Sequence, residues 1–457
     1  MLLVLRNCHS HLRFLSSSRS ARKATLRTMK LDPSRMERVL TPELRTLSGI
    51  FSRHGYELRI AGGAVRDLLM DKTPSDVDFA TTATPDQMKT MFETENIRMI
   101  NNKGEEHGTI TARINDKDNF EVTTLRVDKV TDGRRAEVEF TKDWQLDANR
   151  RDLTINSMFL DLDGLLYDYF LGHEDLDRRT VKFVGVAEER IQEDYLRILR
   201  YFRFYGRISS QPDNHQPETI EAIASNVSGM ERISGERIWM EWKKILGGNF
   251  SRELTVKMIE VGLAPYIGLP ERPNVTEFNR VLIRCEELGI SLEPTAKLAA
   301  LLHTEADVMN LHTRLKLSGL ERDLCLFVVA NRADKTDDSL RPYQFLAVDS
   351  KLKQENTRLF LEQVLRYRGD TALLQEFQGW TIPRFAVTGN HLKEAGCPPG
   401  RIMAVVLSQL KDRWKHSDFT VSAEELISQI PSVLDTIDVK QMEDLSSPKS
   451  KKKKRKV

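Results

Sequence analysis

The stretch Pro74–Thr84, PSDVDFATTAT, sets two aspartates one residue apart at the head of an apolar run. In an extended chain side chains alternate, so Asp76 and Asp78 project to one face while Val77 and Phe79 project to the other. Two neighbouring carboxylates repel unless a cation lies between them. Taken alone, the stretch also reads as a turn aspartate after Pro74-Ser75 followed by an unrelated strand aspartate. The residues upstream shift the balance. Tyr56–Gly63, YELRIAGG, reads as a short strand ending in glycines, with AVRDLLM opening a helix directly behind it. Such a turn leaves backbone N–H groups unpaired, and bare glycines at Gly62 and Gly63 let a phosphate approach closely. Arg66, on the first turn of the helix, adds a charged fork. A phosphate site beside paired carboxylates fits divalent metal. Two Mg²⁺ ions roughly 3.5–4 Å apart activate an attacking hydroxyl and steady a leaving pyrophosphate. Glu121 in NFEVTTLR is the candidate third carboxylate, sharing a strand face with Asn119 and Thr123; a surface glutamate fits the same spacing.

Outward from this centre, TPDQMKTMFETE has Thr84 at an N-cap and Pro85 at the first helical position. HGTITARI and NFEVTTLRV alternate as strands do. Residues 129–147 are polar, with Asp132-Gly133 as a turn signal, and read as unstructured. The first third is therefore a small mixed α/β domain. After about residue 185 helical periodicity takes over. RIQEDYLRILRYFRFYGRI reads as one amphipathic helix placing Asp194, Arg197, Arg200 and Arg203 at steps of three, each beside the next. An Asp beside an Arg offers acceptors and donors for the Watson–Crick edge of a base; a salt-bridged helix face is the alternative. In RRDLTINSM, Arg150 or Arg151 could meet a triphosphate, or pair with Asp152 at a helix start. SGERIWMEWKKILGG, PTAKLAALLH and RIMAVVLSQLKDRW are further helices. His107 reads as structural, since two-metal chemistry needs no histidine base.

No apolar run approaches the ~18 residues that span a bilayer. Four scattered cysteines form neither a disulfide framework nor a CxxC metal site and fit a reducing compartment. The net charge of +2 hides an asymmetry. Residues 1–31 and Lys449–Lys456 each hold seven Lys/Arg and no acid; without them 55 basic side chains face 67 acidic ones, a net of −12. RNA binding by such a chain must use local patches. The Arg- and Ser-rich leader reads as a mitochondrial presequence, with Met29 as a second start that omits it. PKSKKKKRKV reads as a nuclear-import signal or an added tag. A mitochondrial location follows, with a cytosolic or nuclear pool from Met29 and the basic tail.

GGAVRD…DVDF, FEVTTLR, RRDLTINSM, DYFLGHEDL, EDYLRILRYFRF and ISGERI follow one another in an order that resembles the class II CCA-adding enzymes, tRNA nucleotidyltransferases of the polymerase β superfamily. The likeness is continuous over roughly residues 55–250, and VTGNHLKEAGCPPG is similar to their tRNA-binding tail. With the leader, the whole resembles the eukaryotic mitochondrial type. The resemblance implies an α+β fold: a small mixed-sheet nucleotidyltransferase head (32–180), then an all-α neck (181–250) and a helical body and tail (251–445), between a presequence (1–31) and a basic tail (446–457). It implies Mg²⁺ at Asp76 and Asp78 with Glu121 as third carboxylate. Gly63, Arg66 and Arg151 then contact nucleotide and triphosphate. Asp194 and Arg197 act as an amino-acid template for CTP or ATP, with Arg200 and Arg203 also on the nucleotide. A flexible loop helping the switch from C to A falls within 128–146. The implied reaction adds C, C and A to tRNA 3′ ends without a nucleic-acid template and without a membrane. A poly(A) polymerase of the same superfamily, using ATP only, is the nearest rival; a non-catalytic RNA-binding scaffold is the other.

Overall fold

The computed structural model describes residues 26–100, 102–131, 136–333 and 339–436. The leader before residue 26 and the basic tail lie outside them. Contacts gather the chain into two compact units, divided between Ile267 and Gly268.

The first unit carries the strands β1 (Arg27–Lys30), β2 (Leu58–Ala61), β3 (Phe79–Thr81), β4 (Arg98–Ile100), β5 (Thr109–Ile114), β6 (Asp118–Thr124), β7 (Arg126–Thr131), β8 (Ala136–Phe140), β9 (Phe159–Leu160) and β10 (Leu165–Asp168). Eight form one sheet in the order β1-β10-β9-β2-β3-β6-β5-β4; β7 and β8 form a separate ribbon. The pairing of β3 with β6 is parallel, Phe79 opposite Val122 and Thr81 opposite Thr124, while the other pairings in the sheet are antiparallel. The helices Pro42–Arg53 and Pro85–Thr94 cover one face through Leu44, Leu47, Phe51, Met88 and Phe92, against Ile60, Phe79, Ile110 and Val122. The other face takes Trp144, Ala148 and Phe159 over Ala61 and Ala80. Thr84 caps its helix as its sequence predicts, and Gln87 closes a capping box with it.

Three expectations change, and the compact units divide at a point that the sequence reading did not mark. β1 lies inside the segment read as presequence: its four residues are exposed, so no apolar pattern announces them, and main-chain pairing with β10 places them at the sheet edge. The polar stretch 129–147 holds the end of β7, β8 and the helix Trp144–Asn149; its residues 132–135 lie outside the described ones. The expected single helix through Asp194 is two, Ala187–Glu193 and Arg197–Ile208. Asp194 sits in the break at φ −152°, ψ 105°, and its Oδ1 accepts from the Leu196 N–H at 3.1 Å. The two compact units divide after Ile267, within the stretch 251–445 read as body and tail. The helix Ser251–Glu260 buries Leu254 and Met258 with the first unit, and Leu263 follows them inward.

The second unit is helical throughout its described residues. Phe278, Leu298, Leu311, Phe360 and Val364 are buried. Arginines close helix ends here: Arg332 donates to the Ala299 carbonyl at 2.7 Å, and Arg358 to that of Trp380 at 2.7 Å. Val387, Leu392, Ile402, Val406, Trp414 and Leu426 form a separate cluster that includes the VTGNHLKEAGCPPG segment. No described helix is long and apolar enough to cross a membrane.

Candidate active site

The turn after β2 is built on Gly62, whose φ of 66° and ψ of −117° suit glycine alone. From it the helix Gly63–Leu69 starts, and the main chain at Ala61 donates to the Asp78 carbonyl at 2.9 Å, tying the turn to the aspartate stretch. Val77 packs against the core and Phe79 is buried, while Asp76 and Asp78 are exposed. The alternation read from the sequence therefore holds. Continuing the β3–β6 register by one residue sets Asp78 alongside Glu121. Glu121 is exposed on β6 between buried Phe120 and Val122.

These groups open onto a cleft of about 1200 Å³. All ten residues singled out from the sequence line it: the three carboxylates, Gly63, Arg66, Arg151, Asp194, Arg197, Arg200 and Arg203. Asp78 is open to the cleft, yet the protein around its carboxyl strips away water, and this desolvation and then the charges of Glu121 and Asp76 push it above its ordinary range, against the pull of Arg151. That repulsion is what a bound cation relieves, and hard carboxylate oxygens suit Mg²⁺. Among the described residues no three Asp, Glu, His or Cys side chains converge into a ready-made metal cage.

The arginines are held by acceptors that the sequence reading missed. Arg66 is 3% exposed. Its Nε and Nη2 donate to Asp67 and its Nη1 to the Asn156 Oδ1 at 2.6 Å, so it is a buried brace of the cleft wall rather than an open fork. Asp147 accepts from both Arg150 and Arg151. Burial drives the Asp147 carboxyl up, but these two guanidinium groups outweigh it and the pKa ends lowered. Asp152 accepts from Arg200 Nε at 2.6 Å and from the Asn156 side-chain amide at 3.2 Å. Asn156 thus joins Arg66 to the Asp152–Arg200 pair. Arg197 donates to Glu193 at 2.7 Å and to the Arg150 carbonyl at 2.9 Å; Asp194 Oδ2 accepts from Arg237 at 2.8 Å; Arg203 donates to Glu241 at 3.0 Å. Asp147 and Glu193 sit three or four residues from their arginines, a helical spacing that could have flagged them. Asp67, Asn156, Arg237 and Glu241 are brought in by the fold and have no such signal. His107 gives its carbonyl to Arg126 and is not among the cleft-lining residues.

Residues 58–182 match the family described as Poly A polymerase head domain, and 216–272 that described as Probable RNA and SrmB- binding site of polymerase A. The chain is similar to CCA tRNA nucleotidyltransferase 1, mitochondrial, of Homo sapiens, 51% identical over 89% of this chain and 94% of that protein, and to the Danio rerio protein of the same name at 53%. It is 40% identical to the CCA-adding enzyme of Bacillus subtilis over 50% of this chain and 55% of that one. Among solved structures, the Bacillus stearothermophilus CCA-adding enzyme in complex with CTP superposes with a TM-score of 0.68 at 26% identity, covering 87% of this chain and 99% of that one. The Thermotoga maritima enzyme complexed with tRNA shares the fold with a TM-score of 0.63 at 19% identity.

Proposed function

The chain belongs to the class II CCA-adding enzymes, the tRNA nucleotidyltransferases, and from that membership we propose how its cleft carries out the reaction. The protein is a CCA tRNA nucleotidyltransferase that adds C, C and A to tRNA 3′ ends from CTP and ATP. The observation that carries the assignment of roles is that the carboxylates, the glycine turn and the Asp194–Arg197 pair line one cleft.

The base of the incoming nucleotide sits at the helix break. Cytosine and adenine each present an amino donor next to a ring-nitrogen acceptor; Asp194 takes the first and Arg197 serves the second. Uracil and guanine set a carbonyl against the Asp194 carboxylate and are rejected. Glu193 and Arg237 fix the two template side chains, so the pocket is organised before the base arrives. The triphosphate runs toward Gly62-Gly63, whose turn leaves N–H groups for phosphate oxygens, and toward Arg151, Arg200 and Arg203. The tRNA 3′-hydroxyl gives up its proton to solvent water, its oxygen bonds to the α-phosphorus, and the bond from that phosphorus to the bridging β-phosphate oxygen breaks with its electrons leaving on pyrophosphate. Asp76 and Asp78, with Glu121 beside them, would hold divalent metal, which supplies hydroxyl activation and charge neutralisation when bound; Mg²⁺ is the ion that this oxygen set suits. The ribbon β7–β8, which overlaps the segment 128–146 assigned to the C-to-A switch, borders the cleft through Arg126, just before that segment, and Asp128, at its start. Mitochondrial residence follows the names of the human, mouse and zebrafish relatives; those names offer nothing for a cytosolic or nuclear pool.

The test is extension of a tRNA lacking its last three nucleotides, with Mg²⁺ and CTP alone, ATP alone, or both. Two additions with CTP and a third only when ATP joins are expected, with none from Asp78→Ala. A long ladder from ATP alone would assign a poly(A) polymerase, and silence in every lane a scaffold.

A further inference from the structure

The cleft's cations fall into two kinds. Every arginine lining it donates to a protein carboxylate or carbonyl: Arg207 places Nη2 on both oxygens of Asp67 at 2.9 and 2.8 Å, and the others are held as described above. Two lysines that also line the cleft, Lys72 and Lys244, have no side-chain partner among the described residues. Both are exposed. A lysine ammonium with three unused donors in a cleft that must handle polyanions is a charge reserved for something that comes and goes.

The backbone links the neighbourhood of each lysine to that of Arg207. The main chain at Lys72 donates to the Asp67 carbonyl at 2.8 Å, after Asp71 turns left-handed at φ 60° and is held by Arg38 at 2.8 Å. That main-chain bond ties Lys72 to Asp67, the residue whose carboxylate grips Arg207. Lys244 lies on the last turn of the helix Gly235–Leu246. The Asn249 carbonyl beyond that turn presses on Gly206, where a Cβ would come within 2.8 Å of it, one residue before Arg207. Arg66 and Arg203 are nearby and stack on the same Phe204 ring at 4.9 and 4.3 Å. Burial is the first cause that lowers the pKa of both, and Arg207 lies close enough for its charge to lower each further. It lies at the end of the helix Arg197–Ile208 away from the base template. Ten residues of helix separate Arg207 from Arg197, about 15 Å at 1.5 Å per residue, the length scale of an extended nucleoside triphosphate.

We propose that Lys72, Arg207 and Lys244 form a subsite for inorganic pyrophosphate, the product that the reaction expels, and hold its charge as the bond to the α-phosphorus breaks. The proposal rests on the reading that a nucleoside triphosphate lies with its base at Asp194 and Arg197. In the transfer step the negative charge moves off the α-phosphate and onto the leaving group, so cations positioned there act more strongly on product than on substrate.

The test measures inhibition of CMP addition by inorganic pyrophosphate at fixed free Mg²⁺, and calorimetric binding of pyrophosphate without RNA. Lys72→Ala and Lys244→Ala are compared with Lys243→Ala, an exposed neighbour outside the cleft lining. Each cleft variant is expected to raise the pyrophosphate inhibition and dissociation constants about five- to tenfold, the double variant more, and the arginine replacements to restore most of the loss. Lys243→Ala is expected to leave both constants unchanged. Unaltered constants in the double variant overturn the proposal. So does a raised KM for tRNA with unaltered pyrophosphate binding, which assigns the lysines to the RNA backbone instead. If the parent protein adds no CMP, the substrate reading itself fails, while the calorimetric arm still reports on the subsite.

Discussion

Asp78 and Glu121 stand together because one parallel strand pairing sets them in register, and each leaves its strand on the cleft side while its neighbours pack inward. Asp78→Asn keeps the shape and removes the charge that a cation needs. It is expected to lower the rate of CMP addition at least about a hundredfold with little change in melting temperature, measured on the same purified sample. A comparable loss of stability would make Asp78 a structural residue. The alternation around Val77 made the shared face of Asp76 and Asp78 legible in the sequence, whereas the spacing of Glu121 fitted a surface glutamate as well. Asn156 was not legible: it joins Arg66 to Asp152, and its bond to Arg66 crosses ninety positions of chain. Arg66 shows the same limit from the other side. The sequence identifies a cation at the helix start, but only the fold reveals that Asp67 and Asn156 consume its donors.

The break between Ala187–Glu193 and Arg197–Ile208 converts a row of charges into a template, because it lifts Asp194 off the helix and lets Arg237 reach it. Its apolar stripe continues through the break, so periodicity alone reads one helix where there are two. Gly229 supports the break from below. A Cβ there would meet the Tyr195 ring at 2.0 Å, so the ring, and Asp194 just before it, would have to move. Gly229→Ala is expected to cost about 1–3 kcal/mol in a urea titration and to weaken selection of CTP over UTP more than the overall rate. Unchanged selection would detach the template from this support. The helix Arg197–Ile208 also carries Tyr201, whose hydroxyl lies 2.9 Å from His215 Nδ1, and Tyr205, whose ring lies 3.9 Å from the His215 ring. Burial and then the charge of Lys257 press the His215 pKa down from 6.5 to about 4. The folded protein therefore keeps this ring neutral where the unfolded chain protonates it. Its contribution is whole above pH 6.5 and is lost as pH falls toward about 4. His215→Gln is expected to flatten the fall of the urea midpoint across that window; an unchanged slope would place the acid sensitivity elsewhere.

At the scale of the molecule, a small mixed head followed by helices was legible because period two gives way to period 3.6 near residue 185. The packing of Leu254 and Met258 with the first unit was not, since nothing in the local pattern announces it. β1 escaped for a related reason: an exposed edge strand has main-chain partners but no buried face to imprint a pattern. Since the cleft residues span 61–254, all within the first unit, hydrogen exchange with saturating CTP and Mg²⁺ is expected to slow there and to stay unchanged over 268–436. Equal protection in both would mean that nucleotide binding is felt by the whole chain. The parallel pairing of β3 with β6 carries a last consequence, for how the protein is born. Asp76 and Asp78 leave the ribosome early, but the strand that lines them up with Glu121 follows only after residues 82–117 have been made and their loop has closed. Asp194 emerges later still. Such a long-range pairing is slow to form, so the nascent head is complete as a fold before it is complete as a catalyst, and a truncated product ending before β6 would carry the aspartate signature without being able to use it.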